Sequence, residues 1–128
     1  ELNTVGDYQM FANERDNKNY DIFVGGWFSD YNDPLDFLNV MKTGVYDSYG
    51  LYSNSEYDSL IDSLTGENDN AKRLEIYQKL EDLLVAQDCG VAPLYYSDKH
   101  YYYQNWVKDF YTSSFGASQE LYRASVQK

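Results

Sequence analysis

Several kinds of residue are scarce in this sequence, and each scarcity excludes a class of function. The one cysteine, Cys89, cannot form an internal disulfide or bind a metal by itself. Lys and Arg number 10 against 21 Asp and Glu, which gives a formal net charge of −11. A field of that sign repels phosphate backbones and anionic lipids, so we expect no nucleic-acid partner. No apolar run approaches the roughly 18 residues of a membrane span, so we expect no direct membrane insertion by this segment.

Motifs for catalysis and cofactor binding are also missing. The one histidine, His100, is most simply explained as an exposed residue of a strand or loop. The sequence has no GxSxG, P-loop, HExxH or paired-cysteine pattern. Its acidic residues are spread mostly over predicted helix faces, where solvation is their ordinary role. We therefore expect a protein that is not an enzyme and that holds no metal and no cofactor.

Aromatic residues are abundant, with 15 Tyr, 6 Phe and 2 Trp among 128 residues, so disorder is not expected. This length supports one compact unit with a small hydrophobic core. The chain begins without Met, and its first apolar pattern, Leu2–Val5, starts at once. We therefore expect a fragment of a longer protein.

The apolar pattern predicts an α/β fold. Asp7 is placed to cap a short helix whose inward face would comprise Tyr8, Phe11, Ala12 and the stem of Arg15. The continuous apolar run within 20–27 is typical of a strand buried on both faces. With Leu2–Val5 as the first strand, this order favours parallel strands joined by a right-handed crossover.

Three further helices are predicted downstream. Asp33 and Pro34 are placed to begin the first, which Gly44 ends. Ser53 and Glu56 have the spacing of a capping box for the second. The third is a long amphipathic helix over 71–87, whose apolar face comprises Leu74, Ile76, Tyr77, Leu80, Leu83 and Leu84. Beyond it, β-favouring residues predict extended segments at VAPLYY and HYYY and a last strand at 120–126.

The segment GGWFSDYNDP, residues 25–34, combines three features that suit a peptide ligand. Its glycines thin the backbone edge, its aromatic residues offer a surface, and Asp30 is an uncommitted carboxylate. A peptide could pair its main chain with the strand end, rest against Trp27 and place its ammonium group at Asp30. In the structural alternative, Trp27 belongs to the core and Asp30 caps a turn. A glycoside hydrolase using Asp30 and Asp33 is less favoured, because Asp33 already serves as a helix cap.

The order of the motifs resembles the extracytoplasmic oligopeptide-binding proteins of ABC importers, the peptide and nickel class of solute-binding proteins. The resemblance covers most of residues 20–108 and depends on the ordered set rather than on any one motif. The matching pieces are GGWFSDYNDP, YSNSEYDSLI, IYQKLEDLL, APLYY and NWVKDF.

The resemblance implies the C-terminal part of a two-lobed fold with a mixed sheet flanked by helices. Residues 1–97 would belong to the second lobe, and residues 98–128 would return towards the first, whose main part is the missing N-terminal portion of the parent chain. Asp30 would hold the ammonium group of the peptide. Gly26 and Phe28 would offer backbone groups to it, and Trp27 would flank it.

The resemblance further implies an oligopeptide ligand, permease subunits of an ABC transporter as partners, and an extracytoplasmic location, either periplasmic or as a lipid-anchored surface protein. Some relatives carry a basic residue just upstream of Gly-Trp that meets the peptide carboxylate, whereas this chain has Val24. The rival interpretation is a non-catalytic protein-interaction module that uses a Tyr-rich surface.

Overall fold

The computed structural model describes residues 4, 6–45, 51–116 and 121–127. Its first helix, α1, is Tyr8–Asp16. Asp7 caps it as predicted, because its carboxylate accepts a hydrogen bond from the Met10 amide at 2.8 Å. Ala12 is buried, but Tyr8 is 74% exposed, so the predicted inward face is wrong at that position. Most of the predicted first strand, Leu2–Val5, lies outside the described residues.

Three more helices build the core. Helix α2, Leu35–Leu38, continues as a 3-10 turn over Asn39–Met41. Helix α3 is Ser55–Ser63, and helix α4, Asn70–Glu81, continues as a π-helical turn over Asp82–Gln87. Buried residues from all three form one hydrophobic cluster, namely Leu38, Tyr57, Ile61, Leu64, Tyr77, Leu80, Leu83 and Leu84.

Helix α3 begins one residue later than the predicted capping box. The side chain of Asn54, rather than that of Ser53, accepts hydrogen bonds from the amides of Glu56 and Tyr57 at 2.8 and 3.1 Å. Asn is as good a helix cap as Ser, and its side-chain oxygen satisfies two of the unpaired amides of the first turn. The buried Tyr57 hydroxyl donates to the Leu38 carbonyl at 2.8 Å and so joins α3 to α2.

The predicted apolar face of the long helix is confirmed except at Leu74, which is 57% exposed. The π-helical turn ends at Gln87, where Tyr52 and Asn54 both bond the Asp88 carboxylate, at 2.8 and 2.7 Å. These bonds tie the end of the long helix to the start of α3.

The predicted strand at 20–27 is wrong for the described part of the chain. Its backbone forms no ladder there, and Ile22 and Val24 are 88% and 72% exposed. A strand needs a neighbouring strand, and the one sheet among the described residues does not include this segment. The sheet that the structure does describe is one antiparallel pair of short strands, β1 (Val107–Lys108) and β2 (Ser125–Val126), in which Val107 faces Val126.

Candidate functional site

Residues 25–34, which we call the 25–34 loop, connect an extended segment to helix α2. A Cβ atom added at Gly26 would meet nothing within 4 Å, so another backbone can approach there. Trp27 is half-buried, Phe28 is 64% exposed, and Asp30 is exposed. The four predicted site residues, Gly26, Trp27, Phe28 and Asp30, therefore lie together on an accessible stretch of chain.

The buried carboxylate of Asp36 organises this loop. One oxygen, Oδ2, accepts hydrogen bonds from the Trp27 indole Nε1 at 3.0 Å and from the Asp30 amide at 2.8 Å. Asp36 is only 7% exposed, which makes these bonds stronger than they would be in water. The indole of Trp27 and the backbone of Asp30 are thus fixed relative to each other.

Sequence reasoning missed Asp36. An acidic residue in the first turn of a helix is ordinarily explained by the helix dipole, so it gives no signal of a second role. Its bonds reach back nine residues to Trp27 and six to Asp30, and only the folded loop brings these groups together.

Asp33 has a structural role, as predicted, and a larger one than a helix cap. Its carboxylate accepts hydrogen bonds from the Leu35 amide at 2.9 Å and from the Tyr77 hydroxyl at 2.5 Å. It also pairs with the Arg73 guanidinium at 2.7 Å, and Arg73 in turn donates to the Tyr77 hydroxyl. This cluster attaches the end of the 25–34 loop to helix α4.

These contacts determine the protonation of the cluster. Burial alone raises the pKa of Asp33, but the hydrogen bonds from Tyr77 and Leu35 and the charge of Arg73 together hold it below its ordinary value. Burial, followed by the hydrogen bond to Asp33, raises the pKa of Tyr77 to about 12. Asp33 is thus held as an anion, and its bonds to Arg73 and Tyr77 occupy the carboxylate that a glycoside hydrolase would need as the partner of Asp30.

Asp30 differs from Asp33 in having its carboxylate exposed. Within the described ranges, that carboxylate has no salt-bridge partner and accepts no hydrogen bond. The backbone around it is fixed, because the Asp30 amide bonds to Asp36 and the Ser29 carbonyl accepts from the Gly116 amide at 2.9 Å. The loop therefore presents an anion in a held position, an arrangement that suits a cationic ligand group.

Two contacts bring later parts of the chain to the loop. Gly116 has φ +60°, and a Cβ atom added there would lie 3.1 Å from the Asp30 carbonyl oxygen. The Lys99 ammonium lies over the Phe28 ring, 5.2 Å from its centroid. His100, next to Lys99, is exposed, as the sequence predicted. Across the described residues, no three metal-ligating side chains lie together, and no helix is both long and apolar enough to cross a membrane.

No family model matches the chain, but individual proteins do. The periplasmic oligopeptide-binding protein OppA of Salmonella typhimurium strain LT2 is 30% identical over 101 residues. The oligopeptide-binding protein OppA of Bacillus subtilis strain 168 is 30% identical over 105 residues. These matches cover 79% and 80% of this chain, which spans 18% of the length of each relative.

The fold agrees with these matches. The crystal structure of the substrate-binding domain of an oligopeptide ABC transporter from Bacillus anthracis strain Ames superposes with a TM-score of 0.84 at 28% identity. The superposition covers 98% of this chain and 24% of the solved chain. It confirms the prediction of an α/β fold that forms part of a binding protein. These matches confirm the resemblance that the order of the motifs predicted, because most of the chain is similar to a part of the oligopeptide-binding proteins of peptide ABC transporters.

Proposed function

We propose that this chain is part of an extracytoplasmic protein that binds oligopeptides and delivers them to an ABC-type importer. The two OppA relatives and the structural neighbour are described as oligopeptide-binding or oligopeptide-transporter proteins, which supports the proposal. The exposed carboxylate of Asp30, on a backbone that Asp36 holds, is the observation that carries it here. The role is binding rather than catalysis, since Asp33, the nearby second acid, is committed to Arg73 and Tyr77.

Asp30 would recognise the ammonium group at the N-terminus of the peptide. Every free peptide has this group, so an anchor that uses it accepts many sequences. Asp36 would hold the Asp30 backbone in place, which limits the positions that the carboxylate can take before the ligand arrives. An ammonium and a carboxylate that become buried together depend strongly on each other, because removing one leaves the other desolvated and unpaired.

The peptide backbone would lie along Gly26 and Phe28 and against Trp27. A Cβ atom added at Gly26 would meet nothing within 4 Å, so a ligand backbone can approach that face of the chain, which supports this placement. Main-chain pairing of this kind recognises what all peptides share, and it leaves the side chains of the ligand to other surfaces. The indole of Trp27, which Asp36 orients, would give the bound backbone a fixed wall.

The chain would form one part of a two-lobed protein, with residues 1–97 in the second lobe and residues 98–128 returning towards the first. The contacts of Lys99 with Phe28 and of Gly116 with Ser29 support a ligand site close to that crossing. Closure of the two lobes around the ligand would be a hinge motion driven by contacts from both sides.

The exposed apolar residues would contact the rest of the parent protein. Ile22, Tyr95, Tyr96 and Tyr102 are each at least 80% exposed and lie in segments without a described ladder partner. A Tyr-rich surface of this kind also favours the rival function, a module that binds another protein. The rival predicts that a separate protein occupies this surface while peptides leave Trp27 unaffected.

The test uses the full-length protein that contains this chain, with peptide affinity measured by calorimetry. Asp30→Ala should weaken the binding of a free peptide by about 3–5 kcal/mol, at least a hundredfold. Glu75→Ala, which removes an exposed acid from helix α4, should leave the affinity unchanged. Peptide binding that is equally strong in the Asp30→Ala variant would refute the proposed anchor, and no peptide binding by the unsubstituted protein would refute the function.

A further inference from the structure

A cation lies beside the proposed ligand anchor. The Lys99 ammonium is 5.2 Å from the centroid of the Phe28 ring, and the Lys99 side chain is exposed. In the described part of the chain, Lys99 is one of several cations that form no salt bridge. It is distinguished by its position, because it lies over a ring of the 25–34 loop that is two residues along the chain from Asp30.

The contact with Phe28 orders the Lys99 ammonium without neutralising it. A cation over a ring face keeps its full charge, and its remaining N–H groups point away from the ring. A carboxylate can therefore bind the same ammonium without displacing the ring. The Phe28 ring also shields one side of the pair from water, which strengthens the attraction.

The position of Lys99 along the loop limits which ligand groups it can meet. Phe28 and Asp30 are two residues apart, and two residues of backbone span at most about 7 Å. A peptide with its ammonium group at Asp30 thus has its first three residues within reach of a side chain at Phe28. A carboxylate in that part of the ligand comes from an acidic side chain or from the C-terminus of a very short peptide.

We propose that Lys99, held over Phe28, is a specificity residue that binds a carboxylate of the ligand within three residues of its N-terminus. The inference rests on the proposed function, because it places the ligand ammonium at Asp30. It gives the site paired charges of opposite sign, with an anion for the ammonium and a cation for the nearby carboxylate. Ligands with Lys or Arg in the same positions should be disfavoured by repulsion.

The test is calorimetry on the full-length protein with two sets of peptides. In the first set, pentaalanine carries Glu or Gln at position 1, 2 or 3, so that only the side-chain charge differs. In the second, trialanine has a free or an amidated C-terminus. The variants are Lys99→Gln, Lys99→Arg and a control, Lys79→Gln, which removes an exposed cation from helix α4.

The unsubstituted protein should bind the Glu peptide, at one of the three positions, about three- to tenfold tighter than its Gln counterpart. Lys99→Gln should abolish this preference, and Lys99→Arg and Lys79→Gln should retain it. A preference only for trialanine with a free C-terminus, which Lys99→Gln abolishes, would also support the proposal. It would identify the C-terminus of the peptide as the carboxylate that Lys99 binds.

Four results would overturn the inference. A preference for the Glu peptide that survives Lys99→Gln, or no such preference in the unsubstituted protein, would show that Lys99 does not bind a ligand carboxylate. If the peptides still bind, either result contradicts only this inference and not the proposed function. An equal loss of affinity for charged and neutral peptides in Lys99→Gln would reduce Lys99 to a structural contact. If the unsubstituted protein binds none of these peptides, the proposed function and this inference both fail.

Discussion

The indole nitrogen of Trp27 donates a hydrogen bond to the buried carboxylate of Asp36 at 3.0 Å. The same carboxylate oxygen accepts from the Asp30 amide, so a single acid on helix α2 aligns the Trp27 indole with the backbone of Asp30, the proposed ligand anchor. Bonds within the chain therefore hold the Trp27 indole and the Asp30 backbone in a fixed relation. Under the proposed function, this ordering would reduce the entropy lost when a peptide binds.

Replacing Asp36 should damage both stability and binding. Asp36→Ala leaves the Trp27 and Asp30 N–H groups without their acceptor, which should lower the free energy of unfolding by about 1–3 kcal/mol. Asp36→Asn keeps one acceptor oxygen and should cost less. Urea unfolding and peptide calorimetry on the full-length protein measure the two effects. Peptide affinity that stays the same in Asp36→Ala would show that Asp36 does not position the site.

The Asp33 cluster should make stability depend on pH in a defined direction. The pKa of Asp33 lies below its ordinary value of 3.8, so its carboxylate stabilises the fold above that pH. The contribution is lost as the pH falls through the folded-state pKa. Asp33→Asn should therefore destabilise the protein near neutral pH. The difference in free energy of unfolding between the variant and the unsubstituted protein should become smaller as the pH falls. Free energies of unfolding of both proteins, measured from neutral to acidic pH, test this prediction. A difference that grows at low pH would contradict it.

Tyr77→Phe isolates one bond of that cluster. The substitution removes the hydroxyl that donates to Asp33 and keeps the ring in the core. We expect the free energy of unfolding to fall by about 1 kcal/mol, because Arg73 still pairs with Asp33. The pKa of Tyr77, about 12, means that this bond persists throughout the neutral range. Urea unfolding measures the loss, and no loss would show that the hydroxyl adds nothing beyond the ion pair.

Leu80 and Leu74 on helix α4 form a matched pair. Leu80 is fully buried, and Leu80→Ala should cost about 2–5 kcal/mol through lost contacts and a cavity. Leu74 is 57% exposed, and Leu74→Ala should cost much less. Urea unfolding of the two variants compares them. Equal losses would mean that Leu74 is covered in the full-length protein.

Much of the helical part could be predicted from the sequence, because helix signals are local. Asp7 caps α1, as predicted, through an amide three residues away. Gly66, at φ +80°, ends the turn that follows α3, and a glycine in this position is a common local signal for the end of a helix. The error at Ser53 is a displacement of one residue, since Asn54 is an equally good cap. The predicted burial of Leu74 is wrong because an apolar face in the sequence does not indicate which of its residues contact a neighbouring element.

The strands and the support of the site could not be predicted in the same way. Ile22 and Val24 have the composition of a buried strand, but burial requires a partner, and the described chain has none for them. The loop residues Trp27 and Asp30 could be identified as candidates from their types and spacing. Their alignment by Asp36, and the closeness of Lys99 to Phe28, depend on tertiary contacts that no local pattern encodes.

The central claim, that Asp30 binds the ammonium group of a peptide, is tested most directly by changing both partners. The affinity of the full-length protein and its Asp30→Asn variant would be measured by calorimetry for one peptide, with a free and with an acetylated N-terminus. The account predicts at least a hundredfold loss on substitution for the free peptide and almost none for the acetylated one. An equal loss for both peptides, or tight binding of the acetylated peptide by the unsubstituted protein, would contradict it.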